Sequence, residues 1–225
     1  MKSMSSSCVN CGACCRKGGP ALHTKDAYLF EENILQIQDV VTIRAGELVR
    51  DDMKNRLVPL PAELVKLAPA KNARPDDWTC RFLTSNNRCF LHGKHPAECR
   101  AFYCKEPEAL MQLSNEPRLE REKICEIINA PGYWTELIKT HEETVGYEEL
   151  GPWALKIDED SDARQKFLEK VEFDRSFREL VVEKKAAPEE ALPFLFGRPL
   201  LQTMIMFKLE ARPVENGFNI VKMPD

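Results

Sequence analysis

Nine cysteines are the residues of this 225-residue chain whose type and spacing could do chemistry: positions 8, 11, 14, 15, 80, 89, 99, 104 and 125. The first four read Cys8-Val9-Asn10-Cys11-Gly12-Ala13-Cys14-Cys15, a CxxCxxCC motif. Two intervening residues are the shortest comfortable gap across which two thiolates turn back onto one ion or cluster. The gap recurs here at once, so three sulfurs can converge on one centre. Gly12 permits the tight turn, and backbone N–H groups in such a loop can point at sulfur and offset its charge. Successive side chains usually diverge. Cys14 and Cys15 are therefore expected to serve two centres, or to divide into one ligand and one structural or redox group.

The second group is Cys80, Cys89, Cys99 and Cys104, four thiols separated by turn residues such as Asn86, Asn87 and Gly93. Their gaps are not those of a standard zinc finger, and each group alone is awkward for a closed four-sulfur site. The two groups are expected to meet in space. His92 and His95 could complete a mixed Cys-His zinc site, but with eight thiols available they read as supporting or surface residues. Cys125 lies in an apolar helical stripe with Ile124, Ile127 and Ile128 and reads as core. The odd total argues against complete pairing, and the segment from Met1 to Lys17 lacks the apolar run of a secretory signal. Metal or redox chemistry in a cytoplasmic protein is thus expected before a disulfide framework.

These residues resemble the YkgJ-type cysteine-cluster proteins, a family of zinc- or iron-chelating domains and iron-sulfur oxidoreductases. Its pattern is CxxCGxCC, then CxxL, a Cys, Arg-Pro and CRxFPC. Cys8 to Cys15 with Gly12 match the first part; Cys80 with Leu83, Cys89, Pro96, Cys99, Arg100 and Cys104 match the rest. His92 stands where the family often has Tyr, His95 where it has Arg, and Tyr103 where it has Pro. Flagellin lysine methylases carry a similar cluster, so the resemblance also admits a component of a methyl-transfer activity.

The metal divides two readings. CxxCxxC with a remote cysteine is similar to half of a bacterial ferredoxin motif, and an all-thiolate shell suits a 4Fe-4S cluster. All-sulfur tetrahedral coordination suits zinc as well. The leading expectation is an iron-sulfur centre for electron transfer or redox sensing, held by Cys8, Cys11, Cys14, Cys15, Cys80, Cys89, Cys99 and Cys104. The alternative is a zinc-stabilised interaction module.

Around the thiols, the sequence predicts a mainly α fold with irregular, metal-organised loops and a few short strands, α+β being the alternative. Residues 1–106 are expected to form the cysteine-cluster region and 107–225 a mostly helical region packed on it, one continuous domain being the alternative. Thr24 is expected to cap a short helix through Tyr28 and Phe30, and Val40 to Arg44 reads as a strand. Trp134, Leu137, Ile138, His141 and Val145 recur at helical spacing, with His141 a packed core residue. The run from Phe167 to Val181 reads as a long or broken helix. Met204 to Arg212 and Phe218 to Lys222 suggest a hairpin around Asn216 and Gly217, the Met204 and Met206 stripe being core or interface. Arg16 with Lys17 reads as a solvated turn, and Arg100 as at least as much structural as functional.

Thirty-two basic against 36 acidic residues give a net charge of −4, which leaves no global electrostatic footprint for nucleic acid or anionic membrane. Arg74 with Trp78, and Phe102 with Tyr103, do not form a nucleic-acid platform at that charge. The expected partner is an unidentified redox or other protein. GxGxxG, GxxxxGK, GxSxG and HExxH are all absent, so no nucleotide site or hydrolase of a familiar kind is indicated.

Overall fold

The computed structural model describes residues 10–51, 56–71, 73, 74, 76–101, 108–113, 115–214 and 217–224. About 48% of the chain is helical and 17% strand, so it is mainly α, with strands confined to small antiparallel pairs. The strands β1 (Val40–Ile43), β2 (Leu48–Asp51), β3 (Arg56–Pro59), β4 (Leu64–Leu67), β5 (Leu209–Val214) and β6 (Gly217–Lys222) pair only in twos among the described residues: β1 with β4, β2 with β3 and β5 with β6. No described helix is long and apolar enough to cross a membrane.

The chain divides into two compact units, residues 1–41 with 64–130, and residues 42–63 with 131–225. Among the described residues, the helices of the first unit are α1 (Ala13–Lys17), α2 (Tyr28–Glu31), α3 (Ala97–Ala101), α4 (Glu108–Leu113) and α5 (Arg121–Ile127). Its core gathers Leu22, Leu29, Val65, Leu119 and Ile124, all fully or almost fully buried. Two clasps join distant segments: Leu22 N donates to Val65 O on β4, and Leu119 N to Leu22 O, at 2.8 and 3.0 Å. A 3₁₀ turn runs from Thr24 to Asp26 before α2. The expected Thr24 cap is replaced by Asp26, whose carboxylate reaches back to accept from His23 N at 3.0 Å, because a carboxylate satisfies an orphan N–H at least as well as a hydroxyl.

The second unit carries α6 (Tyr133–Val145), α7 (Tyr147–Lys156), α8 (Ser161–Glu183), α9 (Leu192–Phe196) and α10 (Leu200–Thr203). The stripe from Phe167 to Val181 forms one unbroken helix, started by the Asp160 carboxylate accepting from Asp162 N and Ala163 N. Met204 to Phe207 winds as 3₁₀ instead of extending a strand. The hairpin begins only at Leu209, after Lys208 has turned into the left-handed region. Met204 is buried in the core with Leu150, Phe167, Val171, Leu209 and Ile220. Asn216, expected in the hairpin turn, lies outside the described residues.

A buried ionic network runs through this unit. His141 on α6 meets Asp174 on α8 at 2.7 Å, and Arg178 Nε donates to the same Asp174 oxygen at 2.8 Å. Leu200 N donates to the other oxygen at 2.8 Å, so α10 starts on the same carboxylate. Residues 42–63 enter through Arg44, which donates to Val145 O at 3.2 Å, and Glu47, which accepts from Arg198 Nε at 2.6 Å. Burying a charge costs several kcal/mol unless it is paired and hydrogen-bonded; Asp174, Arg178 and Glu47 are, while Arg44 keeps its Nε and one terminal nitrogen buried without a hydrogen-bond partner among the described residues.

Burial holds the His141 pKa down to about 4, with the arginines Arg44 and Arg178 adding to the effect and the bond to Asp174 opposing it. Between that value and the ordinary 6.5, the unfolded chain binds a proton that the folded chain refuses, so stability falls as pH drops through this window. Thermal unfolding followed from about pH 7 to about pH 4.5 should show a loss on the order of 3 kcal/mol from this group. His141→Gln should flatten that dependence.

Candidate metal centre

All seven described cysteines lie in the first unit. Cys8 and Cys104, both expected ligands, lie outside the described residues. Cys125 is buried on α5, as its apolar stripe requires.

The local backbone explains how the remaining thiols meet. Asn10 and Gly12 take left-handed φ values of 55° and 72°, and the chain then winds into α1, which carries Cys14 and Cys15. Arg16 folds back: its N donates to Gly12 O at 3.0 Å, its guanidinium donates to Cys11 O at 3.1 Å, and it also bonds the Asn87 side chain. Arg16 is thus a strut between the first thiol loop and the second, not merely a solvated turn. After α1 the chain passes very close to β4, where a Cβ on Gly19 would stand 2.5 Å from Leu67 O and 2.6 Å from Leu67 Cβ. No side chain fits there.

The second group joins through main-chain bonds. Cys80 N donates to Cys15 O at 2.8 Å, directly linking the two motifs. Leu83 N then donates to Cys80 O at 2.9 Å, and Leu83 forms an antiparallel bridge with Cys89 across the turn at Asn87. This main-chain pairing closes the turn that returns Cys89 toward Cys80. Cys99 arrives from a third segment, on α3.

Cys80 is buried, Cys15, Cys89 and Cys99 half-buried, and Cys11 and Cys14 exposed. The Cys14 and Cys15 sulfurs are 4.0 Å apart, so these adjacent side chains point together, contrary to the divergence expected of neighbours. Burial, then Cys14, and more weakly Cys80 and Cys89, push the Cys15 thiol up to about 12. Cys99 is raised further by burial and then by Cys80, Cys15, Cys89 and Cys14. Cys80 is raised by burial and by Cys89, and pulled back by the Phe82 N–H, Lys66 and Arg81. Five thiols from three segments thus lie within electrostatic reach of one another. Cys11 is not among these mutual partners.

Among the described residues, no group of three Cys, His, Asp or Glu side chains is placed so as to hold a metal ion. The donor chemistry nevertheless fits a soft cation. Crowded thiols hold their protons until a positive charge offsets their repulsion, and thiolates select zinc or iron-sulfur centres. His92 and His95 stack edge to face with each other, centroids 5.5 Å apart, and burial, then His92 and Arg100, lower the His95 pKa.

The family "CxxCxxCC: Putative zinc- or iron-chelating domain" matches residues 7–126. The chain belongs to this family. No curated protein and no solved structure matches it. The CxxCxxCC match spans both thiol groups and ends on α5, within the first unit.

Spacing could not reveal Gly19 or Asn87 as residues that shape the thiol loops. The one available signal was Asn87 in the Asn-rich turn before Cys89, since Asn tolerates the left-handed conformation it adopts at φ 62°.

The raised thiols fix a pH dependence. A folded pKa of about 12 against an ordinary 9.0 at Cys15 means that the metal-free fold keeps a proton which the unfolded chain gives up. Stability contributed there is complete below about pH 9 and falls as pH rises toward the folded value. Metal displaces those protons. Urea midpoints should therefore drop for chelator-treated protein between about pH 8 and about pH 10, and drop less for metal-loaded protein over the same range.

Proposed function

We propose that the first unit holds an all-cysteine iron-sulfur centre used in electron transfer or redox sensing, its ligands drawn from Cys8, Cys11, Cys14, Cys15, Cys80, Cys89, Cys99 and Cys104. The observation that carries this reading is the sulfur environment of Cys15 and Cys99: beyond burial, the groups acting on each are other thiols. Such a donor set favours iron-sulfur chemistry over hard cations.

When bound, an iron-sulfur centre supplies a one-electron couple. The chain's own part is to hold the sulfurs, to bury Cys80 away from water, and to direct the Phe82 N–H at the Cys80 sulfur. Amide donors and burial are the levers that set the potential of such centres. No side chain is required as a general base.

A second reading, a zinc site that organises an interaction module, is favoured by one distance. Two thiolates on a tetrahedral zinc stand about 3.8 Å apart, given Zn–S near 2.3 Å; the Cys14 and Cys15 sulfurs are 4.0 Å apart. In a 4Fe-4S centre each iron takes one protein thiolate, which sets the sulfurs farther apart. Under the zinc reading, this pair shares one ion.

Protein purified without oxygen should contain iron with matching acid-labile sulfide, and a visible spectrum that bleaches with dithionite. Colourless protein with stoichiometric zinc would replace the first reading with the second. Cys11→Ser and Cys89→Ser should each lower metal content, and full retention in both would remove the ligand assignment.

A further inference from the structure

We propose that Asp26 and Glu98 form a clasp that sets Cys99 against the Cys14–Cys15 loop, acting as positioning residues for the metal centre. The inference rests on the thiol reading above.

Glu98 precedes Cys99 on α3, described over Ala97–Ala101. Its carboxylate grips two other segments. One oxygen accepts from Ala21 N at 2.8 Å, six residues beyond Cys15. The other accepts from Arg118 at 2.8 Å and lies 3.3 Å from His23 Nε2. Asp26, fully buried, supports the helix from its start: one oxygen accepts from Ala97 N at 2.8 Å, while the other accepts from His23 N at 3.0 Å. Arg100, on the far side of Cys99, reaches the Ala97-bonded oxygen at 3.7 Å and donates to Tyr28 Oη at 3.0 Å.

The residues on both sides of Cys99 are therefore bound to the 21–28 segment, and nothing in that attachment uses sulfur. A buried carboxylate, Asp26, and a half-buried one, Glu98, each accepting backbone N–H groups, make a charge-assisted frame. The Ala21 attachment bears directly on the first thiol loop, since Gly19 is pressed on β4 and Ala21 bridges Lys66. The clasp thus places the third thiol segment before any metal arrives, which lowers the ordering cost that metal binding must otherwise overcome.

The test is a double-mutant cycle on the whole metal-loaded chain as purified, reading the rate of metal loss to excess chelator. Glu98→Gln puts an amide N–H where the carboxylate now accepts, and should speed metal loss about 10- to 100-fold, as the loss of an outer partner of a ligand does. Cys99→Ser should speed it at least as much. The double variant should lose metal no faster than Cys99→Ser alone, because Glu98 acts through that thiol. Equal acceleration by Glu98→Gln in both backgrounds would mean a general structural role and overturn the clasp. So would unchanged metal loss in Glu98→Gln when Cys99→Ser is fast. If Cys99→Ser itself retains metal normally, the ligand reading and the clasp fail together. Glu98→Asp, which keeps the charge but shortens the reach, serves in the same cycle if the Gln variant does not fold.

Discussion

Thiols crowded into a half-buried space repel as soon as they ionise, and the first unit is arranged around holding them there. A protein that only needed small apolar residues would gain nothing from directing Cys14 and Cys15 at each other, or from facing them with Cys80, Cys89 and Cys99. Neutral, the thiols are tolerated; ionised, they demand a cation. The supports described above are of a kind that does not depend on that cation: main-chain bonds from Cys80 to Cys15, the Arg16 strut to Asn87, the approach of Gly19 to β4, and two carboxylates gripping α3. Short helices and irregular loops suffice for such a unit because its geometry is set by cross-links between segments, not by regular packing.

The second unit solves the opposite problem. Its buried charges are balanced internally, with Asp174 serving His141, Arg178 and the start of α10 at once. Replacing one member leaves the others uncompensated, which is why such networks define an arrangement more sharply than they add to stability. The network also binds residues 42–63 to helices far along the chain, through Arg44 and Glu47.

Patterns with a fixed period were readable in the sequence. Helical spacing located α5, α6 and α8; the position of Cys125 on an apolar stripe marked it as core; and the CxxCxxCC spacing marked the thiols. Less legible were contacts that have no period. The association of residues 42–63 with 131–225 runs through single side chains, and nothing local distinguishes Arg44 from a surface arginine. Glu98 reads as an ordinary first-turn acidic residue until Ala21 N is seen against it. The Cys14–Cys15 contact escaped because spacing along the chain does not report the side-chain rotamers that turn two neighbouring thiols on α1 toward each other. Lys208 likewise ended a stripe that would otherwise have extended the last hairpin.

The passage from Cys15 to Ala21 has a consequence for the length of the chain itself. Cys15 is fixed by Cys80 N, Gly19 by its contact with Leu67, and Ala21 by Glu98. Six steps separate the first anchor from the last. The spacing that matters in this protein is therefore longer than its cysteine motif: CxxCxxCC is the opening of a ruler that ends at Ala21, and an inserted residue would be felt within that ruler more than in an exposed turn such as Gly93, where a Cβ meets nothing within 4 Å.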